Sequence, residues 1–250
     1  MSLCLDSESH PGRGNVVAER SLTDKSTDSI LAVLQLLAES LPPDRSWPGG
    51  NWPLIGGFEP SWLEVVLASV LTQNTRWENV EQTLPRLKSR GLVTFEKLLL
   101  SPIAELEGAI RTTGFFRQKA KTIKRVARFF SMRAKLDGVP KREDLLALKG
   151  IGSETADSIL LYGFGRPEFV ADAYSRRLLQ RLGITGPGIG YSDAKQLFEA
   201  CLDQDIESYR ILHALIVQHA KQICRKRPLC ERCGLSKMCQ TYLTSHRRTD

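Results

Sequence analysis

Four cysteines lie close together near the end of the chain, as Cys224-x5-Cys230-x2-Cys233-x5-Cys239. Thiolates spaced this tightly converge on one centre, and all-cysteine ligation suits a [4Fe–4S] cluster or zinc. Structural zinc sites more often pair two Cys-x-x-Cys knuckles. The single knuckle here favours iron–sulfur and leaves zinc as the alternative. A second motif is Leu148-Lys149-Gly150-Ile151-Gly152-Ser153-Glu154-Thr155-Ala156. Gly150 and Gly152 permit a tight turn and a close backbone approach. The free N–H groups opening the next helix, at Ser153, suit one phosphate oxygen. Ile151 is placed to pin the turn to the core. A plain connection between two helices is the simpler alternative. Asp172 comes third, behind the apolar run Phe169-Val170-Ala171 and ahead of a helical segment at 173–182. It stands where an N-cap belongs. A cap also keeps a carboxylate ionised, so capping and chemistry are compatible.

The elements that position these groups read as helices throughout. Ile30, Leu31, Val33, Leu34 and Leu37 have helical spacing, ended by Pro42 and Pro43. Residues 61–76 are apolar almost all round, as a helix buried on most sides would be. Further helices are expected near 78–90, 94–99, 102–111, 117–135, 141–147, 153–164, 173–182, 193–202 and 205–223. No strand-like alternation of length and no repeat appears, so the fold class is all-α. Residues 1–22 read as a disordered tail and 245–250 as a short C-terminal tail. The Pro/Gly-rich stretch 42–60 holds Trp47, Pro48 and Trp52.

The chain has 250 residues and a net charge of +7. Between Arg111 and Arg142 the basic residues face only Asp137, and a second basic stretch runs from Lys221 to Lys237. Two such stretches fit a one-sided footprint for a polyanion, although solvated helix faces give the same pattern. No run of apolar residues is long enough to span a membrane. The N-terminus lacks the pattern of a secretory signal. The expectation is a cytoplasmic, nucleoid-associated monomer with no membrane partner. In such a compartment clustered cysteines point to metal rather than disulfides. Cys4 and Cys201 read as tail and core, and His213 and His219 as packing or capping residues.

In combination, the hairpin, the aspartate and the four-cysteine loop resemble the endonuclease III branch of the helix-hairpin-helix DNA glycosylases, over roughly residues 27–240. The resemblance implies a six-helix barrel domain at 59–165, with its helix-hairpin-helix at 141–164. A helical iron–sulfur cluster domain would be built from 23–58 and 166–244. Double-stranded DNA with a damaged base would bind in the cleft between them. Gly150, Ile151 and Gly152, with Lys149 and Ser153 beside them, match the phosphate-gripping hairpin. Asp172 matches the catalytic aspartate, and Gln73 the glutamine that fills the space left by a flipped nucleotide. Cys224, Cys230, Cys233 and Cys239 match the cluster ligands. Arg117, near Gly114, is a further candidate backbone contact.

Two departures refine this. Where bifunctional members carry a nucleophilic lysine, this chain has Glu154, and a carboxylate cannot form a Schiff base. A monofunctional glycosylase follows. The strings Leu71-Thr72-Gln73-Asn74-Thr75-Arg76-Trp77 and Gly114-Phe115-Phe116-Arg117-Gln118-Lys119-Ala120-Lys121 look like the 3-methyladenine glycosylase III subgroup. There, aromatic residues sandwich the flipped base, and Trp47-Pro48 and Trp77 lie at the matching places, with Glu154 beside them. The competing readings are a bifunctional glycosylase/lyase for oxidised pyrimidines, a non-catalytic DNA-binding module and a zinc-ribbon binder.

Overall fold

The computed structural model describes residues 29–41, 54–133, 138–202 and 204–246. Trp47, Pro48, Trp52, Cys4 and residues 1–22 and 247–250 lie outside them. Among the described residues the chain is helical, with a lone bridge between Glu59 and Thr94. The order is α1 (29–40), α2 (Trp62–Leu71), α3 (Trp77–Ser89), α4 (Phe95–Leu100), α5 (Ile103–Ile110), α6 (Phe116–Arg133), α7 (Arg142–Leu146), α8 (Ser153–Ser158), α9 (Ala173–Leu182), α10 (Tyr191–Cys201), α11 (Ile206–Gln222) and α12 (Gln240–His246).

Two apolar cores organise these helices. The first gathers around α2, every residue of which from Leu63 to Leu71 is buried. Helix α6 packs on it through Ala120, Ile123, Val126, Ala127 and Phe130, a spacing that puts one apolar stripe inward and leaves basic residues such as Arg117, Lys121 and Arg128 outside, although Lys119 is buried. The second core joins α1 to α9, α10 and α11 through Ile30, Leu37, Phe169, Leu179, Phe198 and Leu212. The chain passes from one core to the other in the segment after α8. The sequence pattern predicts one helix over 153–164. Instead α8 gives way to a π-helical turn at Ile159–Gly163. Ile159 and Leu160 belong to the first core, Leu161 and Tyr162 to the second, so the wider turn falls where burial changes sides.

Local chemistry sets the helix ends that matter for the site. Asp172 caps α9 by accepting from the Ser175 N–H at 2.8 Å, and Gly183 ends the same helix in the left-handed conformation. Asp205 caps α11. Helix α10 begins two residues before the 193–202 expected from periodicity, because Tyr191 is held by a tertiary contact. Its hydroxyl donates at 2.8 Å to the buried Asp157, which also accepts from Arg142 at 2.7 Å. That trio ties α7 and α8 to α10. The buried Glu64 of α2 accepts from the Ile55 and Gly56 N–H groups at 2.6 and 2.9 Å, fixing the segment that enters the first core.

Candidate active site

Between the two cores runs a cleft of about 1110 Å³. Gln73, Trp77, Glu154 and Thr155 line it from the first core, and Asp172, Arg176, His213 and Lys221 from the second. The hairpin adjoins the first side, next to Gln73 and Glu154. Gly150 has φ +100°, and a Cβ there would come within 2.2 Å of the Thr122 hydroxyl, so both conformation and packing demand glycine. Gly152 is different. Its backbone is extended and a Cβ would meet nothing. Ile151 is buried in the first core, as its place between the glycines predicts. Arg125 of α6 donates to the Lys149 carbonyl at 3.1 Å, which holds the turn against the basic helix. Lys149 and Ser153 flank the turn at the surface.

Gln73 lies against the hairpin. Its amide donates to the Gly150 carbonyl at 3.0 Å and to the Thr155 hydroxyl at 2.9 Å. Trp77 opens α3, half-buried, and its ring N–H donates to Glu81 at 2.7 Å. The structure therefore brings Gln73 and Trp77 to the cleft with Asp172 and Glu154. Trp47 and Pro48, the other proposed pocket members, fall outside the described residues.

Asp172 sits at the second wall with a side chain 13% exposed. Burial pushes its carboxyl pKa up, but the facing His213 and the N–H and hydroxyl of Ser175 outweigh this and hold it below the usual value. His213 Nε2 stands 3.8 Å from the carboxylate, and its Nδ1 is 2.7 Å from the Tyr162 hydroxyl. Burial, then the charge of Asp172, raises the Tyr162 pKa well above normal, so that phenol keeps its proton. His213 stands between the Tyr162 hydroxyl and the Asp172 carboxylate. His213 thus does more than the packing or capping its sequence context predicts. The helical pattern of α11 reveals that His213 faces inward but not that it meets Asp172. Glu154, open to the cleft, has its carboxyl pKa raised by burial among surrounding protein and then by the charge of Asp172. The two carboxyls are pushed in opposite directions.

Two features escape sequence reasoning. Phe115 follows Gly114 (φ +67°) and is itself at φ +46°, a costly conformation for an aromatic residue, with 63% of its surface exposed. Arg111 and the exposed Arg117 both lie over the neighbouring Phe116 ring, at 5.8 and 5.6 Å. Buried Lys119 donates to the carbonyls of Leu71 and Thr113 at 2.8 and 2.7 Å, and so ties the Phe115 loop to the loop that carries Gln73. The double aromatic after glycine was the available signal. The second feature is the pair Arg177 and Arg181 on α9. Arg177 donates to the Cys224 carbonyl at 2.7 Å, and Arg181 to the Cys224 sulfur at 3.0 Å. The helix that Asp172 caps is thereby tied to the cysteine loop.

Cys201, Cys224, Cys230, Cys233 and Cys239 form no disulfide among the described residues. Cys201 is buried in the second core, as its spacing predicts. The loop of the last four is folded by two short 3-10 turns, Cys230–Arg232 and Ser236–Met238. It is seated by buried Leu235 and by Gly234, where a Cβ would strike Ser40 of α1 at 2.8 Å. Burial and the neighbouring cysteines together raise the Cys233 thiol pKa, and Cys233 Sγ lies 3.7 Å from His219 Nε2. Burial first, then Arg177 and Arg181, push His219 down to about 4, so this imidazole is neutral. Among the described residues no three His, Cys, Asp or Glu side chains are gathered as a site for a single metal ion.

Comparison with known proteins places this arrangement. Residues 67–204, more than half of the chain, match the model of the HhH-GPD superfamily of base excision DNA repair proteins. The chain belongs to that superfamily, and within it the chain is endonuclease III-like. A protein of Methanocaldococcus jannaschii, named as a candidate DNA repair glycosylase, is 40% identical over 185 residues, 70% of this chain and 84% of that protein. The endonuclease III of Sulfolobus acidocaldarius is 31% identical over 183 residues, 71% of this chain and 81% of its own. Among solved structures, an endonuclease III–DNA complex superposes with TM-score 0.75 at 22% identity, covering 88% of this chain and 98% of that one. The H. pylori 3-methyladenine DNA glycosylase bound to 1,N6-ethenoadenine gives TM-score 0.63 at 27% identity, covering 79% and 97%. The all-α, helix-hairpin-helix glycosylase fold expected from the motifs is the fold observed. No helix among the described residues is long and apolar enough to cross a membrane.

Proposed function

We propose that this chain is a monofunctional DNA glycosylase that flips a damaged base, an alkylated purine such as 3-methyladenine, into the cleft and hydrolyses its glycosidic bond. The observation that carries the reading is the pair at the cleft's centre. Asp172 is held ionised at one wall, and Glu154 faces it from the place where the lyase lysine of bifunctional relatives would stand.

Extrahelical bases are the substrate because the bond to be cut is out of reach inside the stack. The hairpin N–H groups beside Gly152 would take a backbone phosphate. The free space around Gly152 supports this, since nothing inside the protein requires glycine there. Gln73 would leave its hairpin partners to fill the gap, and the exposed Phe115 would wedge the adjoining step. Trp77, with Trp47 and Pro48, would stack on the base. An alkylated purine is cationic, so an electron-rich ring favours it by about 1–2 kcal/mol when desolvated. Asp172 then stabilises the positive charge growing on the sugar, or takes a proton from the attacking water. His213, propped by Tyr162, keeps that carboxylate oriented and ionised.

Cys224, Cys230, Cys233 and Cys239 would hold a [4Fe–4S] cluster. The donor set supports this: four cysteines fall within sixteen residues with a single Cys-x-x-Cys knuckle, where structural zinc sites more often pair two. When bound, the cluster's part is structural, bracing the 224–239 loop and its basic residues beside the cleft.

The test uses one duplex with 3-methyladenine and one with an oxidised pyrimidine, scoring base release apart from strand nicking, with Asp172→Asn as control. Release of the alkylated purine, with nicking only after alkali, is the expected result. Nicking at the oxidised pyrimidine without alkali, trapped as a covalent adduct by borohydride, would replace the reading with the bifunctional one.

A further inference from the structure

Arg181, in the last turn of α9, holds both ends of the cysteine loop. Its guanidinium donates to the Cys224 sulfur at 3.0 Å, the Cys224 carbonyl at 3.2 Å and the Arg225 carbonyl at 2.9 Å. Its own carbonyl accepts from the Thr241 hydroxyl at 3.0 Å and the Cys239 thiol at 3.2 Å. One residue thus touches the first and the last of the four cysteines. Ligation changes the two contacts in opposite ways. A ligating Cys239 has lost its proton and cannot donate, so Thr241 alone keeps the carbonyl. A ligating Cys224 becomes a better acceptor, and a hydrogen bond between a cation and an anion is about twice as strong as a neutral one. Arg177, one turn earlier, binds the Ala220 and Cys224 carbonyls, at 3.4 and 2.7 Å. The two arginines therefore separate a sulfur contact from a carbonyl contact on the same loop.

We propose that Arg181 is the positioning residue for the cluster: it raises the cluster's reduction potential through the Cys224 sulfur and slows its loss by clamping the outer ligands to one helix. A cationic hydrogen bond at a ligating sulfur draws electron density from the cluster and favours its reduced form. The clamp follows from geometry, because α9 is one continuous helix from the cap at Asp172 to the Gly183 end. A shift of the loop at Arg181 is passed along that helix.

The inference rests on the cysteines holding an iron–sulfur cluster, and the experiment separates the two. Iron and acid-labile sulfide are first measured in the full chain purified without air. A native protein lacking both defeats the cluster reading and the inference with it. With iron present, Arg181→Gln, Arg181→Lys and Arg177→Gln are compared by redox titration and by iron release to a chelator. Arg181→Gln is expected to lower the potential and speed release roughly tenfold or more. Arg181→Lys keeps the charge but loses the fork, so its potential stays near native while release quickens. Arg177→Gln leaves the potential close to native. A native potential in an Arg181→Gln protein of normal helix content overturns the proposal. If that variant does not fold, Arg181→Lys releasing iron no faster than the native protein overturns it.

Discussion

Across the cleft, Gln73, Glu154 and Thr155, beside the hairpin, face Asp172, Arg176 and His213. The two walls are held in place by different forces. The hairpin wall rests on apolar packing around α2 and α6, with Ile151 buried and Gly150 wedged against Thr122. Its working groups are largely backbone. The aspartate wall works through side chains, and their positions depend on polar ties: Ser175 and His213 on Asp172, Tyr162 on His213, Arg177 and Arg181 on the cysteine loop. Packing is non-directional and tolerates small shifts. Hydrogen-bonded charge is directional and fails when one partner goes. Damage to the two walls should therefore look different.

The largest effect is expected at the aspartate wall. Asp172→Asn keeps a residue that caps helices well, so the fold should survive. Base release should fall on the order of 10³-fold, as when a preorganised charge is removed from a transition state. A single-turnover assay beside a thermal melt checks this, and an unfolded variant would show that the carboxylate is structural. The same charge predicts a pH profile. The pKa of Asp172 is held below its ordinary value, so base release should lose its acid limb only below the usual carboxylate range. The stability that Asp172 contributes is present above its unfolded-state pKa, and is lost as pH falls through the lower folded-state value.

Next come the two glycines of the hairpin wall, which should part company. Gly150→Ala introduces strain at a positive φ and a clash with Thr122. It should cost about 1–3 kcal/mol, lowering Tm by roughly 2–4 °C for each kcal/mol. Gly152→Ala should leave Tm unchanged. DNA affinity should drop about tenfold, near the 1.5 kcal/mol of one hydrogen bond to a charged group. Equal losses of Tm in both would show that Gly152 is needed for packing after all. The smallest effect is expected at Arg117. Its replacement by Ala should weaken binding about evenly across DNA sequences and reduce the salt slope by about 1. An unchanged slope would leave Arg117 as a partner of the Phe116 ring alone.

Much of this site was legible in the chain because its signals are local. Helical periodicity predicts α6, α9 and α11 to within a residue or two, whereas α2 stops at Leu71, five residues short of the expected 61–76. Two glycines within three residues announce the hairpin turn, and Asp172 ahead of a good helix announces a cap. The misses have one physical origin, since each depends on residues far apart in sequence. No local pattern places Tyr162 against His213, or Arg181 against Cys224. Nor could one show that Gln73 rests on the Gly150 carbonyl, 77 residues away.

The sequence alone determined the all-α class, the hairpin, the Asp172 cap and the cysteine quartet. It also placed Glu154 two residues after the second hairpin glycine. These depend on backbone preference, on the spacing of apolar residues and on side-chain chemistry, which act within a few turns of helix. Tertiary structure decided the rest: the switch of cores after α8, the depressed carboxyl of Asp172, the strained exposure of Phe115 and the ties from α9 to the cysteine loop. Each of these needs a partner that only the closed fold brings near, or a burial or backbone strain that only the fold can impose.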